Sequence, residues 1–383
     1  MPNNPIDNRP RKSFLDKRRL KMRLKRSCAF RVYDRLILSL AARLSSQLSQ
    51  TEPFVGLGQR VNALQQQLDS IQSQTNEAVG LLARSVVGLE RGQSLLRGKI
   101  EDAQVVIGGI EDKISESSTI FDHGYRVFSQ WNEDGILQYL LRRIGSHNNT
   151  FIEIGVGDYS EANTRFLVQK DNWRGLIVDS DMEALDRFTN MGMRWKTNVD
   201  VKAAMVTSEN INDIIGDAGY GGDIDIFSLD IDGMDYWVWK EISIISPRIV
   251  VCEYNALFGP DAAVTVPYDP SFDRRERHYT WTYAGASLGA LKSLAAEKGY
   301  TLVTCNSGGN NAFFVRDDLL AASGIGPDDI LFRPPAFRET RNEVGQLTFL
   351  SAQETLKLLA GMQVVDVNTG QVIDVADLMR DVI

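Results

Sequence analysis

The stretch "TFIEIGVGDYSEANTRFLVQ", residues 150–169, decides the fold. A short apolar run ends in two closely spaced glycines, Gly155 and Gly157, and is followed by a segment with helical spacing. That pattern reads as a buried strand, a tight turn and a helix. Working outward, "GLIVDSD" (175–181), "DIDIFSLDID" (223–232), "RIVVCEY" (248–254), "YTLVTC" (300–305) and "NAFFVR" (311–316) read as further buried strands. Between them "DMEALDRFTNMG", "SENINDIIGDAG", "DYWVWKEIS" and "SLGALKSLAAEKG" read as helices, the last closed by a glycine suited to a left-handed cap. Alternating strands and helices predict an α/β fold, a Rossmann-like doubly wound and mostly parallel sheet, over residues 120–333. Ligands of such sheets sit at the carboxyl ends of the strands.

Those strand ends carry the candidate chemistry. Glu153, Gly155 and Gly157 form E-I-G-V-G, in which the glycines let the backbone approach a ligand and the carboxylate can bind an amine or hydroxyl. Ser160, Glu161 and Ala162 follow where the dinucleotide fingerprint needs its third glycine, which points away from a nicotinamide enzyme. Asp179 ends the next strand, where an acid can accept both ribose hydroxyls of an adenosine-bearing ligand.

From about Ser129 to Arg316 the chain resembles the class I S-adenosylmethionine-dependent methyltransferases, with "FIEIGVG" as the glycine-rich motif and Asp179 as the ribose acid. More narrowly, "SQWNEDGIL", "FIEIGVGDYSEANT", "WRGLIVDSD", "SLDIDGMDYWVW" and "CEYNALFG" look like the FkbM-related methyltransferases associated with bacterial polysaccharide and glycoside modification. The resemblance implies S-adenosyl-L-methionine as cofactor and a saccharide or glycan hydroxyl as acceptor. It adds Gln130, Glu133 and Asp134 as cofactor candidates, with Asp158 and Asn163 compensating for the missing glycine.

"LDIDGMDYW" (229–237) ends a strand in acid. Asp230 and Asp232, with Glu253 and Asn255 from the adjacent strand end, offer the hard oxygen ligands that suit Mg²⁺ or Mn²⁺. The arrangement is similar to metal-dependent O-methyltransferases of the catechol and macrocin types, where a metal would acidify the acceptor hydroxyl. The alternative is a metal-free site in which Asp232 and Gly233 cap the next helix, Asp235 lies in its first turn and Asp230 alone meets the cofactor. Of three histidines, His278 stands in a polar, aromatic loop fit for acceptor binding and is the candidate general base beside Asp230; the alternative is an ordinary loop histidine. His123 and His147 precede the first strand and read as structural. Arg274, Arg275 and Arg277 are either ligands for acidic groups on the acceptor or a solvated charge run.

The rest of the chain reads as appendage. Its 383 residues, 43% hydrophobic and 24% charged, suffice for one large core plus extra parts. Cys28, Cys252 and Cys305 lack the spacing of a disulfide framework or thiolate zinc site, which fits a cytoplasmic setting. No run is apolar for the roughly 18 residues a membrane span needs, and the start lacks a signal-peptide pattern.

Residues 1–43 carry a net charge of +10, leaving −18 for the remainder. The arm, 1–50, is basic and amphipathic, with Phe30, Tyr33, Ile37, Leu40, Leu44 and Leu48 along one face. It suits peripheral contact with an anionic membrane or packing on a partner better than nucleic acid. Residues 54–118 read as a coiled coil that makes a homo-oligomer. Leu57, Val61, Leu64, Leu68, Ile71, Thr75, Ala78, Leu82 and Leu89 form a seam, which resumes in a new phase at Ile100, Ala103, Ile107, Ile110 and Ile114. The alternative is a helix packed back on its own domain. Residues 334–383 read as a small extension packed on the catalytic domain, with a helix over 351–361, a hairpin near Asn368–Gly370 and no sign of chemistry. The expected protein is therefore a saccharide O-methyltransferase. The rivals are an inactive methyltransferase-like scaffold and a metal-independent enzyme for another small acceptor.

Overall fold

The computed structural model describes residue 39 and residues 52–114, 119–190, 195–328 and 331–379. The basic arm lies outside these apart from Ser39. Two compact units, Met1–Leu96 and Arg97–Ile383, divide the chain. The first long element is helix α1, Glu52–Ile114. No helix of the described residues is long and apolar enough to cross a membrane. Within the first unit the heptad positions of α1 from Val61 to Leu89 are exposed, Leu68 by 58% and Leu89 by 68%. Within the second unit the same helix docks on its own domain. Gly108 is buried there, and a Cβ on it would lie 2.5 Å from a Val127 methyl and 2.9 Å from the Phe166 ring. Glu101 pairs with the buried Arg165 at 3.0 Å. Gly108 thus forms part of the contact surface of the helix.

The second unit is built on seven strands: β1 (Thr150–Ile154), β2 (Arg174–Asp179), β3 (Asn198–Ala203), β4 (Gly222–Leu229), β5 (Ile245–Glu253), β7 (Tyr300–Cys305) and β8 (Asn311–Arg316), with the two-residue β6 (Val264–Thr265) set apart. Their order is β3-β2-β1-β4-β5-β8-β7. Neighbours from β3 to β5 are parallel, and β8 runs antiparallel to both β5 and β7. This is the Rossmann-like, mostly parallel sheet expected of a class I methyltransferase. The order reverses between β1 and β4, which opens a crevice at their carboxyl ends.

Side chains of period two divide each strand between two helical layers. Phe151, Ile177 and Ile226 join the core beneath α2 (Glu133–Ile144), α3 (Arg165–Asp171) and α4 (Met182–Asn190). Ile152, Ile154, Leu176 and Leu229 join the opposite core with α5 (Ile211–Asp217), α6 (Asp235–Glu241) and α7 (Leu288–Lys298). Glu153 shares the parity of Phe151, and that fixes which way it points. The edge strand β3 was not anticipated: "NVDVKA" is too polar to resemble the buried runs, and only Val199 of it is fully buried.

Beyond β8 the chain returns over the sheet's carboxyl edge. Ser351 caps helix α8 (Ala352–Leu358) with a reciprocal bond to Glu354. Strands β9 (Gln363–Asp366) and β10 (Val372–Asp374) form an antiparallel hairpin that adds to β6. A third core of Met234, Phe258, Val266, Tyr283, Leu359 and Val364 joins this layer to the loops after β4 and β5.

The turn after β1 is the tightest constraint at the crevice. Gly155 has φ +84°, its N–H donates to the Val178 carbonyl, and a Cβ would lie 1.5 Å from the Asp230 carbonyl oxygen. Gly155→Ala is expected to destabilise the domain by roughly 3 kcal/mol or more, through backbone strain and steric overlap together. Denaturant unfolding with an unchanged m-value checks it.

Candidate functional site

The crevice between β1 and β4 is a cavity of about 440 Å³. Its floor is Gly155 and Gly157, its sides are Asp179, Asp181, Asp230 and Asp232, and its roof is Tyr268, Phe272 and Arg275. Backbone bonds knit the rim: Asp230 N–H donates to the Ile154 carbonyl and Ala204 N–H to that of Asp179. Gly157, at φ +55°, donates its N–H to Asp179 Oδ2 at 2.7 Å, and Asp181 N–H donates to Oδ1 at 2.7 Å. Two N–H donors therefore fix the Asp179 carboxylate, and each oxygen keeps a lone pair for a ligand hydroxyl.

Glu153 does not reach this crevice. Its strand parity points it at the layer beneath α3, where it is 5% exposed. There Oε1 accepts the Asn163 N–H at 2.8 Å, and Oε2 accepts the Thr164 N–H at 3.0 Å and the Thr164 hydroxyl. Burial raises its pKa. It holds the loop that starts α3, and Asn163, bonded also to Ser228, and Asp158, bonded to the Ser160 N–H, shape the same loop.

The three cofactor candidates before β1 stand apart from the crevice too. Asp134 is fully buried, and its Oδ2 gathers the N–H groups of Val127, Phe128 and Ser129 and the Ser129 hydroxyl. Glu133, also buried, accepts from the Trp131 N–H and from the Asn306 and Asn311 amides. Gln130 is exposed and meets Asn310 at 3.4 Å. Asn306 in turn accepts the N–H groups of Gly309, Asn310 and Asn311. The "SQWNED" segment thus clamps the polar loop between β7 and β8.

The acid cluster is the electrostatic centre. Single oxygens of Asp230, Asp232 and Glu253 lie within 4.8 Å of one another. Burial, with Asp232 and Asp235 nearby, raises the Asp230 carboxyl well above the usual range; burial, with Asp230 and Asp232, does the same to Glu253. Arg274 answers part of this charge, 3.1 Å from Asp232 and 3.6 Å from Glu339.

Asp235 has a different task. Its carboxylate accepts the Ile231 N–H at 2.9 Å and the Gly233 N–H at 3.0 Å, closing the turn in which Asp232 takes φ +60°. Helix α6 begins at Asp235 with Met234 before it and no side-chain cap, so Asp232 and Gly233 are not its caps. Asn255 turns away from the acids: its Nδ2 donates to the carbonyls of Thr282 and Ala284 and its Oδ1 accepts the Leu257 N–H. The carbonyls hold both amide protons, which makes Asn255 a brace for the 282–284 segment.

A second cavity, about 250 Å³, opens behind the cluster. Glu253, Arg274, Trp281 and Asn310 line one side, and Phe337, Arg338, Glu339 and Thr340 the other. Asp230 and Asp232 face the first cavity while Glu253 and Arg274 face the second, so the acids form a shared wall. Sequence reasoning missed residues 334–355 as a lining. The only signal was "RPPAFRET", a proline-rich loop with three charged side chains and the aromatic Phe337. His278 lines neither cavity; its Nδ1 is bonded to Thr280, and burial lowers its pKa. Arg277 is ion-paired with Asp269, and Arg275 lines the first cavity. His123 stacks on Tyr139.

No family model matches the chain, and no curated protein does. Among solved structures it is similar to an O-methyltransferase from Bacillus cereus in complex with S-adenosylhomocysteine, at 17% identity and TM-score 0.33, over 56% of this chain and 89% of that one. A S-adenosylmethionine-dependent methyltransferase from Clostridium acetobutylicum aligns at 10% identity and TM-score 0.33, over 49% and 92%. A putative O-methyltransferase from Klebsiella pneumoniae aligns at 15% and 0.31, over 57% and 90%. Overlap this low adds no argument to the strand order itself.

Burial raises Asp134 to a pKa of about 6. A raised acid contributes stability below its unfolded pKa, near 4, and that contribution is lost as pH climbs through about 6. Asp134→Asn is expected to flatten the stability profile between those values by on the order of 2–3 kcal/mol. Unfolding titrations of both proteins from pH 4 to 7 check this.

Proposed function

We propose that this chain is an S-adenosylmethionine-dependent O-methyltransferase acting on a saccharide or glycan hydroxyl. The observation that carries the reading is the pair of cavities divided by Asp230, Asp232 and Glu253. The crevice fits the cofactor by its glycine floor and by Asp179, whose spare lone pairs suit two ribose hydroxyls. Bound there, S-adenosylmethionine would supply an electrophilic methyl group. The second cavity fits the acceptor. It pairs the aromatic rings of Trp281 and Phe337 with Asn310, Thr282, Arg338 and Glu339, the mixture of flat apolar faces and hydrogen-bonding groups that a sugar ring offers in return.

This chain's residues would then do three things. Asn310 and the 334–340 segment hold the acceptor, the shared wall admits its hydroxyl, and Asp230 or Glu253 takes the proton as the oxygen becomes nucleophilic. Their raised pKa suits them to that task better than an ordinary carboxylate, and the base is placed here rather than at His278. Turnover should therefore rise with pH as the cluster loses its shared proton. The donor set also fits a divalent ion: Asp230, Asp232 and Glu253 would hold Mg²⁺ or Mn²⁺, which would lower the pKa of the acceptor hydroxyl. Arg274 favours the metal-free reading, since it already places a cation beside Asp232. The +10 charge of residues 1–43 supports peripheral placement on the inner membrane face, where lipid-linked glycans are built.

Calorimetric titration with S-adenosylhomocysteine tests the cofactor half. Micromolar affinity is expected, weakened on the order of 100-fold by Asp179→Ala through loss of charged hydrogen bonds. Absence of binding would leave a methyltransferase-like scaffold. Glu253→Gln is expected to keep that affinity while lowering turnover of a glycan acceptor about 10²-fold or more. Activity that survives chelation would exclude the metal.

A further inference from the structure

The surface of helix α1 changes character along its length. In the seam that runs from Leu57 to Leu89, the a positions are Val61, Leu68, Thr75, Leu82 and Leu89, and the d positions include Leu64, Ile71, Ala78 and Ser85. Over the first half the flanking e and g positions are polar, Gln65 and Gln72 on one side and Gln67 and Gln74 on the other. Over the second half they become Val79, Val86 and Leu81. All three are about half exposed, at 46%, 48% and 54%, beside Leu82 at 65%. A seam confined to a and d is the narrow stripe of a two-stranded coil, whereas apolar a, d, e and g positions make the wider face of a bundle. The a positions lead to the same number. Two-stranded parallel coils favour β-branched residues at a and leucine at d, and here leucine occupies a at three of five layers.

We infer that copies of this chain associate through residues 57–89 of helix α1 into an assembly of at least three helices. A second copy is favoured as the occupant over a different protein by charge. Residues 57–89 contain only Arg60, Asp69, Glu77 and Arg84, a net charge of zero, so copies do not repel one another and no charged stripe selects an unlike partner. The helix also needs external packing. Gly80 and Gly88 each weaken it by about 1 kcal/mol relative to alanine, and neither has a neighbour within 4 Å where a Cβ would stand. An isolated helix of this composition gains too little from propensity to offset that, and most helical stability comes from a covered apolar face.

Sedimentation equilibrium of the full-length protein tests the inference. The expected mass is three or more times that of one protomer. Val79→Gln with Val86→Gln, which extends the pattern of Gln65 and Gln72, should reduce it to two protomers, because e positions are buried only in assemblies wider than a pair. Leu68→Asp with Leu82→Asp should give single protomers. A wild-type mass of one or two protomers overturns the inference, and a monomer would assign the seam to another chain. A mass of three or more that neither pair of substitutions changes overturns it too, since the interface would then lie elsewhere. Each variant's S-adenosylhomocysteine affinity and far-ultraviolet circular dichroism report that the catalytic unit remains folded.

Discussion

The site depends on a contact that only a residue without a side chain permits. Gly155 lets the end of β1 lie against the end of β4 so closely that the Asp230 carbonyl occupies the place of a Cβ. From that approach follow the bond from Asp230 N–H to the Ile154 carbonyl, the aim of the Asp230 side chain into the crevice and the width of the opening toward Asp179. Parity then sorts the acids. Glu153 is turned beneath α3 to brace a loop, and Asp230 is left past the end of its strand to face the crevice.

Crowded carboxylates are unfavourable in themselves, and the chain spends backbone and side-chain bonds to hold them. Asp235 closes the turn that keeps Asp232 left-handed, and Arg274 ties Asp232 to Glu339. The raised pKa values of Asp230 and Glu253 express the remaining repulsion and desolvation. Burial raises Asp235, Asp134 and Glu153 as well, but each of these accepts backbone N–H groups that fix its oxygens. Glu133, Asp134 and Glu153 are each held by backbone N–H groups of a neighbouring loop, whereas the carboxylates of Asp230 and Glu253 meet other acids and Arg274 across the shared wall.

The buried strands were legible in the sequence because continuous apolar runs flanked by turn residues have few other uses. So were the glycine turn at Gly155 and the acid after β4, although the helix expected directly after that turn starts only at Arg165, beyond a loop over 155–164. Edge strand β3 was not legible, since half its side chains face water and it loses the apolar signature. The sequence also shows which residues are acidic without showing what their oxygens bind: Glu133, Asp134 and Asn255 stand in the expected motifs, yet folding commits them to N–H groups and carbonyls of neighbouring loops. Some of these bonds join residues far apart in the chain, as Glu133 to Asn311 and Asn255 to Thr282, and those carry no local pattern. The second cavity was illegible for the same reason, being made where residues 334–355 cross over loops that precede them.

That crossing gives the two cavities different ages in the life of a chain. Every residue lining the crevice precedes position 276, whereas the second cavity waits for Thr355. A ribosome would release the lining of the crevice some eighty residues before the last part of the other wall. A nascent chain therefore has every side chain of the crevice before the neighbouring cavity has its final wall.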